Sequence, residues 1–102
     1  MSSVRRAASL DEVPAGQPKV VEVDGVRVVL ARVGDAVYAC GDVCTHRGGP
    51  LGEGKLNGAR LACPWHGWMF DVRTGQHCAG SRVVQPRFDV RVEGDWILVD
   101  LG

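Results

Sequence analysis

The 102-residue sequence lacks an excess of charge of either sign, a long apolar run and an internal repeat. Twelve Lys and Arg residues balance twelve Asp and Glu residues, so the formal net charge at pH 7 is zero. A protein that binds nucleic acid would normally carry a basic excess, and the balance argues against that class of partner. No apolar run approaches the ~20 residues that a membrane-spanning helix needs. We therefore expect neither a nucleic-acid nor a membrane partner.

The sequence also lacks the apolar segment of an export signal. Arg5 and Arg6 form a twin-arginine pair, but residues 7–14 (AASLDEVP) are short and acidic. We therefore expect a cytoplasmic protein. In that compartment, the four cysteines are more often metal ligands or buried thiols than members of a disulfide framework.

β-strand patterns punctuated by turns occupy both ends of the chain. Five segments show them: residues 19–23, 26–32, 36–40, 88–93 and 96–100. Asp24 and Gly25 are typical of a two-residue hairpin turn, because both central positions take positive φ. Ser9 and Glu12 match a capping box, which predicts one helical turn at most. The sequence thus predicts an all-β protein, an antiparallel β sandwich or barrel, with Trp96 in its core.

The strand pattern breaks down between residues 41 and 87. Nine of the 14 glycines and three of the five prolines lie there. A stretch of this length without a regular pattern usually needs a ligand or a function to order it. We expect residues 1–102 to form one domain, with a base β subdomain at about 1–40 and 88–102 and an inserted loop-rich subdomain at about 41–87.

Two short loops in the inserted segment each offer one thiolate and one imidazole. One residue separates Cys44 from His46, sixteen residues follow, and two residues separate Cys63 from His66. This mixed order suits a two-iron, two-sulfide cluster, in which the cysteines hold one iron and the histidines hold the other. Structural zinc is the main alternative, but zinc sites usually pair Cys with Cys and His with His. We predict these four residues as cluster and metal ligands, and no catalytic residue.

The two loops resemble those of Rieske proteins, above all the small soluble Rieske-type ferredoxins of ring-hydroxylating dioxygenases and the small subunits of nitrite reductases. The resemblance is carried by residues 44–51 (CTHRGGPL) and 63–71 (CPWHGWMFD), followed by Thr74 and Gly75. It implies the Rieske fold and one [2Fe-2S] cluster per chain, bound by residues of the inserted segment. It also implies a carrier of single electrons rather than an enzyme.

The resemblance leaves two pathways open. In the first, the chain takes electrons from a flavin-dependent reductase and delivers them to the terminal oxygenase of an aromatic-ring hydroxylating system. In the second, it is the small subunit of an assimilatory NADH-dependent nitrite reductase and works with the large subunit. A third reading, from a different class, is a zinc-stabilised interaction module without a redox role.

Four positions around the ligands differ from the high-potential Rieske proteins of respiratory complexes. Those proteins carry a serine and a tyrosine that donate hydrogen bonds to sulfur, where this sequence has Trp68 and Phe70. They also carry two further cysteines that join the loops, where this sequence has Gly49 and Trp65. The resemblance therefore implies a low reduction potential, about −150 mV, because these hydrogen bonds to sulfur are missing.

Three residues with reactive side chains have no predicted role. Cys40 and Cys78 are expected to be buried free thiols, with a disulfide between them as the alternative. His77 follows the turn at Thr74 and Gly75 and is expected to be exposed.

Overall fold

The protein is built from antiparallel β-strands, and the all-β prediction is confirmed. The computed structural model describes residues 4–44, 48–65, 67–80 and 82–101. The strands within these ranges are β1 (Val4–Ser9), β2 (Lys19–Val23), β3 (Val26–Val33), β4 (Ala36–Gly41), β5 (Lys55–Asn57), β6 (Arg60–Ala62), β7 (Met69–Asp71), β8 (Arg87–Glu93) and β9 (Trp96–Asp100). Two short 3₁₀ turns, Leu10–Glu12 and Leu51–Glu53, complete the regular structure. No helix in the described part of the chain is long and apolar enough to cross a membrane.

The strands form two sheets. Six strands, in the order β1-β9-β8-β4-β3-β2, make a near-barrel, and β5-β6-β7 make a second, smaller sheet. The small sheet belongs to the segment between β4 and β8. Because Ala39 pairs with Phe88 and Cys40 pairs with Arg87, this segment leaves the base sheet and returns to it at neighbouring points.

The local turn predictions agree with the structure. Asp24 and Gly25 have φ values of 50° and 81° and connect β2 to β3. The backbone N–H of Ser9 donates to the carboxylate of Glu12 over 3.4 Å, and one 3₁₀ turn follows Ser9. These turns depend on neighbouring residues only, which is why the sequence alone predicts them.

Three strands of the inserted segment and the first strand were not expected. The sequence predicts no strand between residues 41 and 87, and this is wrong because β5, β6 and β7 lie there. Each of these strands is three residues long, which is too short to show alternation. β1 contains two arginines and is stabilised by pairing with β9, at the far end of the chain. Its sequence therefore carries little information about its structure.

β3 connects the two parts of the molecule, because both of its faces are covered. Successive side chains of a strand point to opposite faces. Val28 and Leu30 pack into the base core with Ile97 and Val99. Val29 and Ala31 contact a second core, which contains Cys40, Cys44, Leu51, Leu56, Leu61, Cys63, Phe70 and Val72. This second core joins the base sheet to the inserted segment and contains two of the predicted ligands.

The prediction that Trp96 lies in the core is wrong. The side chains of Ile97 and Val99 are fully buried, so the alternation of β9 directs Trp96 outwards, where it is 42% exposed. Its ring instead lies under the guanidinium group of Arg6, 4.1 Å from the ring centroid. This cation–π contact explains a large aromatic residue on the surface.

Candidate metal centre

The two predicted cysteine ligands lie side by side in the second core. The side chains of Cys44 and Cys63 are each 1% exposed, and both are free thiols. They are in hydrogen-bond contact with each other. The two predicted histidine ligands, His46 and His66, lie outside the described residues, so their role stays a prediction. Two adjacent buried sulfurs can bind one metal ion together.

The first loop, residues 43–50, extends from the end of the base sheet. Val43 and Pro50 form an isolated antiparallel bridge that closes its base. Further along, the N–H of Cys44 donates to the carbonyl of Gly49 over 2.9 Å, and the N–H of Gly48 donates to the carbonyl of Cys44 over 2.7 Å. Main-chain hydrogen bonds therefore fix the backbone of Cys44 on both sides.

The second loop, residues 63–68, continues the hairpin of β6 and β7. Ala62 pairs with Met69, and the N–H of Cys63 donates to the carbonyl of Trp68 over 2.7 Å. The backbone N–H of Trp65 donates to the sulfur of Cys63. The strand pair thus sets the position of Cys63, and the loop supplies a donor to its sulfur.

The two loops touch at Gly49. A β-carbon at this position would lie 2.9 Å from the sulfur of Cys63 and 2.9 Å from Cγ of Trp65. Contacts this short do not occur for real side chains, so only glycine allows the loops to approach this closely. Gly49 and Trp65 therefore lie against each other where the two loops meet.

The surroundings of Cys63 favour a bound metal ion. Burial is the strongest influence and raises the pKa of the Cys63 thiol. The N–H of Trp65 lowers this pKa, and the neighbouring Cys44 raises it. A thiolate at Cys63 is therefore stabilised by the positive charge of a bound metal ion. The donor set fits an iron ion that both cysteines hold, as in a [2Fe-2S] cluster with mixed ligands.

Aromatic rings pack beside the second loop. The rings of Trp68 and His77 are parallel within 2°, with their centroids 3.8 Å apart. The ring of Phe70 is tilted against both, and its side chain is 1% exposed. The expectation of an exposed His77 is wrong, because His77 forms a bridge with Phe70 and is half-buried. The sequence could not show this contact, which depends on pairing outside the regular strands.

The other two cysteines are free thiols in different surroundings. Cys40 is buried, and its burial raises the pKa of the thiol to about 12. Cys78 is exposed. The expectation of free thiols, rather than a disulfide between them, agrees with the structure, but the expectation that both are buried is wrong for Cys78.

This difference predicts selective alkylation. The thiolate is the reacting form, so iodoacetamide at pH 8 should modify Cys78 in the native protein and modify Cys40 only after unfolding. Peptide mass mapping before and after addition of guanidinium chloride measures both rates. Equal rates at the two cysteines in the native protein would contradict the burial of Cys40.

Comparisons with known proteins give one consistent family. A family model described as the Rieske [2Fe-2S] domain matches residues 3–91. The ferredoxin component of a naphthalene 1,2-dioxygenase system from Pseudomonas aeruginosa is 34% identical over 94% of this chain and 93% of its own length. The ferredoxin of carbazole 1,9a-dioxygenase from Nocardioides aromaticivorans is 38% identical, with a TM-score of 0.87 over 95% of this chain and 96% of that chain. A chain in a complex of reduced oxygenase and oxidised ferredoxin of carbazole 1,9a-dioxygenase is 32% identical, with a TM-score of 0.84 over 94% of this chain and 91% of that chain.

Proposed function

The chain belongs to the Rieske [2Fe-2S] domain family, and we propose that it is a ferredoxin component of an aromatic-ring hydroxylating system. In this role it would take single electrons from a flavin-dependent reductase and deliver them to the terminal oxygenase. The proposal is carried by the buried Cys44–Cys63 pair, seen in a chain whose relatives are named as dioxygenase ferredoxins. A Rieske cluster supplies a one-electron couple when it is bound.

We propose the following roles for the residues of the site. Cys44 and Cys63 hold one iron of the cluster, and His46 and His66 hold the other iron. The second core excludes water from the two sulfurs, and the N–H of Trp65 offsets negative charge on Cys63. Residues 41–87 would then form the cluster-binding subdomain, and residues 1–40 and 88–102 the base that carries it.

The partners follow from the relatives. The chain in the oxygenase–ferredoxin complex supports a terminal oxygenase as one partner, and a flavin-dependent reductase is the electron donor that we propose. The relatives named above favour this pathway over the nitrite reductase pathway. We also propose a cytoplasmic location, where free thiols such as Cys40 and Cys78 are usual.

Electron delivery to candidate acceptors tests the proposal. The protein should be purified anaerobically, reduced with dithionite, freed of excess reductant and mixed in a stopped-flow instrument with the terminal oxygenase of a related dioxygenase. We expect its absorption to return to that of the oxidised form as the oxygenase is reduced. Mixing with buffer alone is the blank, and mixing with a nitrite reductase large subunit tests the alternative acceptor. Rapid reoxidation by the nitrite reductase subunit, with none by the oxygenase, would favour the second pathway.

A substitution of Trp68 tests the low-potential prediction. Trp68→Ser introduces a hydroxyl at the position where high-potential relatives carry one, and we expect the midpoint potential to rise. If the new hydrogen bond favours the reduced state by about 1.4 kcal/mol, the rise is about 59 mV for one electron. Trp68→Ala is the matched control, because it also removes the ring stacked on His77 but adds no donor. Spectroelectrochemical titration that finds equal midpoints in the two variants would contradict the prediction.

A further inference from the structure

Two buried polar side chains stand out among the described residues, and both bind the backbone next to Cys44. Asp42 is 4% exposed and Gln85 is 1% exposed. A buried polar group is stable only when it is hydrogen-bonded. Their partners therefore show what these two side chains hold in place.

The side chain of Gln85 binds the backbone of the two residues that flank Asp42, where the chain enters the first loop. Its side-chain amide nitrogen, Nε2, donates to the carbonyl of Gly41 over 2.8 Å and to the carbonyl of Val43 over 2.7 Å. One amide nitrogen has two N–H donors, so both hydrogen bonds can form at once. The two bonds fix the Gly41–Asp42 and Val43–Cys44 peptide units, and the second of these contains the backbone nitrogen of Cys44.

Asp42 fixes the other side of the same backbone. Its carboxylate accepts hydrogen bonds from the N–H of Gly52 over 2.8 Å and from Nε of Arg27 over 2.9 Å. Its own carbonyl accepts from the N–H of Leu51 over 2.7 Å. The two ends of the first loop are thus joined at Asp42, but these contacts do not reach the second loop.

The backbone of Gln85 makes that connection. Its N–H donates to the carbonyl of Gly75 over 2.7 Å, in the turn that follows β7. The next residue, Pro86, accepts a hydrogen bond from the N–H of Gly41 over 2.9 Å. Gln85 therefore connects the turn after β7, which continues from the second loop, to the backbone that leads into Cys44.

We propose that Gln85 is a positioning residue for the cluster, and this proposal rests on the proposed function. Its side-chain amide fixes residues 41–43 relative to the β6–β7 hairpin and so holds the sulfur of Cys44 against the sulfur of Cys63. Loss of the two donated hydrogen bonds frees this backbone. The distance and orientation of the two sulfurs would then vary, which weakens the binding of iron and changes the ligand field around it.

Gln85→Met tests this proposal, because methionine keeps the length of the side chain and removes both donors. Gln76→Met is the matched control, since Gln76 is exposed. Each protein is isolated anaerobically and exposed to the iron chelator bathophenanthroline, and loss of absorption is followed. We expect Gln85→Met to lose iron at least tenfold faster than the wild type, with altered g values in paramagnetic resonance of the reduced protein. The control should match the wild type in both.

Two comparisons separate positioning from simple support of the fold. A merely structural role would lower the melting temperature of Gln85→Met and leave the g values and the midpoint potential unchanged, which would overturn the proposal. If Gln85→Met does not fold, Gln85→Asn replaces it. The shorter amide reaches one carbonyl at most, so intermediate effects on iron loss and g values are expected, and wild-type values would overturn the proposal. Absence of a cluster in the wild type itself would overturn the proposed function as well.

Discussion

Cys63→Ser should abolish cluster binding. The iron and acid-labile sulfide content should fall from about two of each per chain to near zero. Cys63 is buried in contact with Cys44, and the iron held by this pair has no other protein ligand in the proposed site. A serine hydroxyl stays protonated at neutral pH and is a poor ligand for iron. Iron and sulfide analysis of the anaerobically purified variant measures the loss.

Cys78→Ser is the matched control for this experiment. It makes the same chemical change at an exposed cysteine outside the second core. We expect it to keep the full complement of iron and sulfide and the visible spectrum of the wild type. A Cys63→Ser protein that retains its iron, or a Cys78→Ser protein that loses it, would show that the assigned cysteine pair is wrong.

Gly49→Ala should lower the melting temperature of the cluster-containing protein by several degrees, although it adds only one methyl group. The new β-carbon would lie 2.9 Å from the sulfur of Cys63 and from Cγ of Trp65. A sulfur bound to iron cannot move away freely, and Cγ is the ring atom nearest to the backbone. Overpacking of this kind costs about 1–3 kcal/mol. In a domain of this size, each 1 kcal/mol lowers the melting temperature by about 4–8 °C.

Gly41→Ala is the control for the loss of a glycine. Neither position has positive φ, and a β-carbon at Gly41 would lie 3.5 Å from Nε2 of Gln85, an ordinary contact that leaves the carbonyl of residue 41 available to that amide. We expect its melting temperature to stay within about 2 °C of the wild type, given the small intrinsic effect of such changes. Thermal unfolding followed by the visible absorption of the cluster and by far-UV circular dichroism compares the variants. Equal behaviour of the two would contradict the close approach of the loops at Gly49.

The sequence predicts the parts of this molecule that depend on local chemistry. Asp24 and Gly25 define a hairpin through their own backbone preferences. Cys44 and Cys63 lie together in the second core, and the repeated pairing of one cysteine with one histidine is the local pattern that singled them out. The exposure of Trp96 could not be predicted, since hydrophobicity alone does not tell which side of β9 faces the core.

Contacts that are distant in the sequence could not be predicted. The hydrogen bonds from Gln85 to Gly41 and Val43 span 44 and 42 residues. The stacking of His77 on Trp68 accompanies an isolated bridge between Phe70 and His77, outside the regular strands. No periodic pattern marks such residues, so a glutamine in a loop looks in the sequence like any solvated polar residue.

Metal and sulfide analysis of freshly isolated, anaerobic protein decides whether Cys44 and Cys63 hold a two-iron cluster. We expect about two iron atoms and two acid-labile sulfides per chain. One zinc ion per chain, with neither iron nor labile sulfide, would contradict it and would assign Cys44 and Cys63 to a structural metal site.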